Sequence, residues 1–121
     1  MMYVRAVNLA RGRVLGDRVA VADRFWLRLR GLGGRSGLER GEGLLLRPCR
    51  AVHMMGMKFP LDVAFLDAGN RVVARYPRLS PGASTRWHRQ ARAALELPAG
   101  TLDETGTVEG DVVEYQEETP R

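Results

Sequence analysis

The chain has 121 residues, 45% of them hydrophobic and 27% charged, with 19 Lys and Arg against 14 Asp and Glu. That length and balance give a single globular domain with its own core, and they exclude a disordered body or a second core. One cysteine, Cys49, excludes an intramolecular disulfide, and no apolar run approaches the ~20 residues that span a bilayer.

Val4 and Ala6, then Val14 and Leu15, predict two short strands around an Arg11-Gly12-Arg13 turn. Val19 to Ala22 leads into Asp23, a good helix N-cap. Phe25, Leu29 and Leu32 then recur at helical spacing, with Trp26 widening the apolar face, so one main amphipathic helix is expected before Gly31, Gly33 and Gly34. Gly41-Glu42-Gly43 reads as a turn, and Leu44 to Leu46 as a strand stopped by Pro48. Val63 to Leu66, the turn Asp67 to Asn70, and Arg71 to Tyr76 predict a hairpin. The stretch from Tyr76 to Arg92, broken by Pro77, Pro81 and Gly82, reads as a long loop of the kind that binding or partial disorder justifies. Ala93 to Leu97 predicts a strand ended by Pro98 and Gly100. Thr101 and Glu104 have capping-box spacing for one helical turn, and Gly110-Asp111 turns the chain into Val112 to Tyr115. Residues 116–121 form a charged tail expected to fray. The fold class expected is α+β and mostly antiparallel β: a small curled sheet, barrel- or sandwich-like, with one main helix, in a single domain of residues 1–121.

Several blocks, in this order, resemble the domain of unknown function 192 family. They are Arg30-Gly31-Leu32, Gly43 to Leu46, His53 to Lys58, Pro60 to Asp67, Ala94 to Gly100, and Gly110-Asp111. Together they cover about positions 20 to 115. The resemblance implies a small β-rich single domain and brings no activity with it. Relatives include proteins exported behind a signal peptide, whereas this N-terminus lacks a signal-peptide core, so a cytoplasmic protein is expected. The chain also departs from the family at Gly33 and at His53-Met54-Met55-Gly56-Met57, where relatives place a Met and an aromatic residue before the Met, respectively.

The candidate residues for function are Arg50, His53, Asp62, Trp87 and His88. Asp62 lies at the mouth of a buried strand, where a carboxylate must find backbone donors, an Arg, or a ligand. Imidazole is the usual general base near neutral pH, which makes His53 a candidate base, with Asp62 as its acid partner in a small enzyme of unknown reaction. Cys49 and His53 are too far apart along an extended chain to form a nucleophilic pair. Met54, Met55 and Met57 raise soft-metal binding, but alternation sends them to opposite faces and core packing is the simpler reading, so no metal is assigned. Trp87 and His88, flanked by Arg86 and Arg89, can stack a planar ligand or anchor a partner. No phosphate loop, nucleophile elbow or zinc spacing is present, so no cofactor is expected. The leading expectation is a non-catalytic accessory module binding a small ligand or a protein. Nucleic acid is a further alternative from the net charge of +5, set back by basic residues scattered from Arg5 to Arg92.

Overall fold

The computed structural model describes residues 2–22 and 35–117. The expected main helix and residues 118–121 of the tail lie outside the described residues. Among the described residues seven strands are present: β1 (Tyr3–Asn8), β2 (Arg13–Ala22), β3 (Glu42–Leu46), β4 (Leu61–Leu66), β5 (Val72–Leu79), β6 (Ala93–Pro98) and β7 (Val113–Glu117). One short helix, α1 (Thr101–Thr105), follows β6. The strands form one mixed sheet in the order β5-β4-β6-β3-β2-β1-β7, antiparallel throughout except for the β2–β3 pair. An antiparallel bridge from Arg71 to Val112 brings the two ends of that order together, curling the sheet into a half-barrel. The α+β, mostly antiparallel expectation therefore describes the molecule.

Alternation along each strand sorts side chains to two apolar layers. Val4, Leu15, Val19, Leu45, Leu66, Leu95 and Leu97 fill the hollow of the curl, with Leu102 of α1 and Val113 among them. Leu44, Leu46, Leu61, Val63, Phe65 and Ala94 point the other way and form a second layer on the outside of β3, β6, β4 and β5. A sheet apolar on both faces needs a second cover. Here it comes from the segments before β4 and after β5, which lay Val52, Met54 and Ala91 on that outer layer.

Three local differences from the sequence expectation have physical causes. Glu42 and Gly43 belong to β3 because both pair with β2, opposite Arg18 and Val19. A Cβ at Gly43 would lie 3.0 Å from the Glu96 carbonyl oxygen and 3.1 and 3.2 Å from Leu97 and Val19 side chains. Gly43→Ala is accordingly expected to destabilise the protein by about 1–3 kcal/mol through overpacking; an unchanged denaturant midpoint would contradict this. Second, β5 continues past Pro77 to Leu79, because a register shift against β4 absorbs an extra residue and Arg78 takes a left-handed φ of 51°. The long loop thus begins only at Ser80. Third, α1 forms one turn as expected, but its N-cap is Gly100 and not a Thr101–Glu104 box. Thr101 donates its hydroxyl to the Pro98 carbonyl instead, at 2.7 Å.

Candidate functional site

The cover over the outer layer is an irregular antiparallel ladder between residues 50–54 and 82–88. Its rungs are Gly82 N–H to the Met54 carbonyl (2.9 Å), Met54 N–H to Ala83 (2.7 Å), Thr85 N–H to Val52 (2.9 Å) and His88 N–H to Arg50 (2.8 Å). His53 and Ser84 form the bridge at its centre, and the Thr85 hydroxyl accepts a further bond from Val52 N–H at 3.0 Å. Turns at Gly56 and Gly82, with φ of 79° and 84°, end the two segments where a side chain would strain the backbone.

Burial along this ladder, which alternates from Val52 to Met54 and loses its register between Thr85 and His88, sorts the candidates. Met54 is buried in the outer layer, whereas Met55 is 79% exposed and Met57 packs at the margin, so the three sulfurs diverge. Trp87 is 63% exposed, and the Arg50 guanidinium sits 5.9 Å from its ring centroid. Arg50 is itself held by its Nε–H donating to the Ala91 carbonyl at 3.1 Å. His88 turns inward and is 5% exposed. Its ring lies 4.6 Å from Phe65 and 5.5 Å from Tyr76, centroid to centroid, and Nε2 shares a 2.6 Å hydrogen bond with the Tyr76 hydroxyl. Loss of solvent, followed by the nearby Arg86 charge, holds the His88 imidazole below its ordinary titration range, against a smaller opposing pull from Glu109. A neutral His88 under the ladder therefore fixes the backbone from which Trp87 projects.

Asp62 is placed elsewhere. It shares the inward face of β4 with Ala64 and Leu66 and is fully buried. Its Oδ1 accepts the amides of Arg78 (2.8 Å) and Gly100 (3.1 Å), and its Oδ2 accepts that of Leu102 at 2.7 Å. One carboxylate thereby joins the bulge of β5 to the start of α1. His53 is exposed on the far side of the cover, so β4 and the outer apolar layer lie between the two groups. The structure brings together Arg50, His53, Trp87 and His88 on one ladder, and it does not bring Asp62 to them. Among the described residues no cluster of His, Cys, Asp and Glu has metal-binding geometry.

The feature that sequence reasoning missed is an absence of acids. No Asp or Glu occurs at positions 43–61 or 68–95. Residues 47–60 and 80–92, which carry the ladder, hold six basic and no acidic side chains, while the rest of the chain holds thirteen basic and fourteen acidic ones. The net positive charge of the chain therefore lies in these two segments. The ion pairs among the described residues are Arg11–Asp111, Arg35–Glu42, Arg40–Glu104 and Arg75–Asp103, and none uses a basic residue of these two segments. Counting acids by segment, instead of bases along the chain, would have located this face.

A separate groove of about 400 Å³ runs between β2 and α1, lined by Arg13, Arg18, Arg40, Thr101 and Glu104 among others. It contains none of the candidate residues, and the Arg40–Glu104 pair lies along it.

Comparison with known proteins agrees with the fold. A UPF0127 protein of Thermococcus sibiricus is 29% identical over 119 residues, covering 95% of this chain and 77% of the relative. A UPF0127 protein of Thermococcus gammatolerans is 30% identical over 118 residues, covering 90% and 73%. A crystal structure of a protein of unknown function from Novosphingobium aromaticivorans superposes with a TM-score of 0.82 at 25% identity, over 93% of this chain and 84% of that one. A second, from Sinorhizobium meliloti and described as a "putative transcription regulator", gives a TM-score of 0.74 at 25% identity over 94% and 92%. The family model described as Uncharacterized ACR matches residues 6–115, and the chain belongs to that family, the domain of unknown function 192 family.

Proposed function

We propose that this protein is a non-catalytic binding module whose recognition surface is the outside of the 50–54/82–88 ladder, and that its partner is anionic. The observation that carries this reading is a basic face with no acid in either of its two segments, from which Trp87 projects beside Arg50. Guanidinium groups that form no ion pair among the described residues, on a backbone braced by the Phe65–Tyr76–His88 cluster, attract and orient negative charge at little conformational cost. Arg50, His53 and Trp87 are the contact residues, and His88 positions Trp87 from below. Asp62 serves the fold in this reading, and its separation from His53 leaves the acid–base alternative without a pair. The description of the Sinorhizobium neighbour is in keeping with an anionic partner.

Inorganic polyphosphate is a suitable first probe. The double change Arg86→Glu and Arg89→Glu, at two exposed residues, is expected to weaken its binding at low salt by about tenfold or more, since each screened surface charge near the ligand contributes to the attraction. The same reversal at Arg5 and Arg13, away from the ladder, is expected to have a much smaller effect. Equal losses from both pairs would mean that charge alone, and not this face, governs binding.

A further inference from the structure

Resting on that reading, we infer that the anionic partner is single-stranded nucleic acid, with a base stacked on Trp87 and the flanking phosphates held by Arg50, Arg86, Arg89 and Lys58. Three observations lead to this class. The indole is 63% exposed although its neighbour His88 is locked inside, so the ring is presented to solvent by a fixed backbone. The Arg50 guanidinium lies over one face of the ring at 5.9 Å, so a stacked base takes the opposite face with the cation across the indole from it. The surrounding charge is guanidinium-rich, and guanidinium groups bind phosphate oxygens through paired N–H donors and stack on planar rings.

A planar π surface beside a cationic track is the arrangement that binds single strands without sequence preference, because every base offers a face and every nucleotide a phosphate. The five extended residues 50–54 of the ladder span roughly 13–17 Å, a length that holds a few nucleotides. Duplex is disfavoured by the same geometry, since its bases are already stacked and offer no free face to Trp87. An anionic lipid surface fits less well. The other exposed apolar side chain of the cover, Met55, sits at the Gly56 turn, at the opposite end of the ladder from Trp87. The two are isolated side chains, not a patch that could insert together.

The test uses the full chain and fluorescence anisotropy of a labelled short oligothymidylate. Competition with unlabelled duplex, polyphosphate of matched charge, and anionic vesicles completes it. The wild-type protein is expected to prefer the single strand over each competitor. Its affinity should fall with salt at a log–log slope of about −3, at about 0.7 per phosphate contact over four contacts. Trp87→Ala is expected to weaken oligothymidylate binding by about tenfold or more while leaving polyphosphate binding unchanged, and Trp87→Phe to restore most of it. If Trp87→Ala binds both probes as the wild type does, or if polyphosphate or vesicles compete as well as the single strand, the nucleic-acid inference is overturned and the anion-binding face survives. If the Arg86 and Arg89 reversal leaves polyphosphate binding untouched, the face itself is wrong and this inference falls with it.

Discussion

Asp62→Ala is expected to lower the free energy of unfolding by about 3–4 kcal/mol, a large share of the roughly 5–15 kcal/mol typical of a domain. Three backbone amides converge on this carboxylate, and those of Gly100 and Leu102 are deep enough that water cannot replace it. Each orphaned buried donor costs about 1–3 kcal/mol, with the upper end reached when the lost acceptor was charged. Asp62→Asn should cost less. Its amide keeps one oxygen, which can continue to accept two of the amides, but turns an NH2 toward the third. A urea titration following strand circular dichroism gives the ranking wild type, Asn, Ala. If Asp62→Ala unfolded at the wild-type midpoint yet lost polyphosphate binding, Asp62 would be a ligand residue and its structural assignment would be wrong.

The second large effect concerns Glu96, whose side chain shares the outer face with Leu44 and Val63, its partners across β3 and β4. It is 6% exposed, and no described residue donates a hydrogen bond to its carboxyl. Burial raises its pKa from 4.5 to about 7. Between those two values the native state holds the proton and the unfolded chain does not, so stability falls as pH rises through the window. The integrated loss is about 3 kcal/mol at about 1.4 kcal/mol per pH unit. Glu96→Gln, which is never charged, is expected to flatten that slope and to be the more stable protein at pH 8 by about 2 kcal/mol. Below the window the trend reverses. Hydrogen bonds from Asn8 and Arg11 hold Asp111 below its ordinary range against burial, and the Glu39 amide does so for Glu42, so their contributions are lost as pH falls through their folded values. Midpoints measured at pH 5 and pH 8 for both proteins check this; wild-type stability that is flat or higher at pH 8 would contradict it.

Much of the sheet was legible because its signals are local. Gly12, the Asp67 to Asn70 turn and the Pro98 to Gly100 break each end a strand at or next to the place where the turn chemistry puts the boundary. The continuation of β5 was not legible, since Pro77 reads as a stop and its accommodation depends on an unusual φ at Arg78. Glu96 was hidden for a different reason. In a strand of alternating pattern a lone acid reads as the solvent face, whereas here that face carries a second apolar layer. Asp62 was correctly expected to need backbone donors or another partner, yet the identity of its donors depends on residues 16 to 40 positions away. Trp87 and Arg50 were each visible as single candidates. Their meeting rests on a ladder with too few regular rungs to leave a periodic trace.

The pairing of β1 with β7 places Val4 opposite Glu117, the longest sequence separation in the sheet. Its closure is reinforced by Asn8 donating to the Thr107 hydroxyl and to Asp111, which also accepts from Arg11. During synthesis β1 emerges before the other strands of the sheet, and its outer edge waits for a partner until β7 has left the ribosome. Throughout that interval the edge is open to pairing with other nascent chains. Arg5, exposed at the middle of β1, puts a charge on this waiting edge and so discourages the wrong partner until the right one arrives.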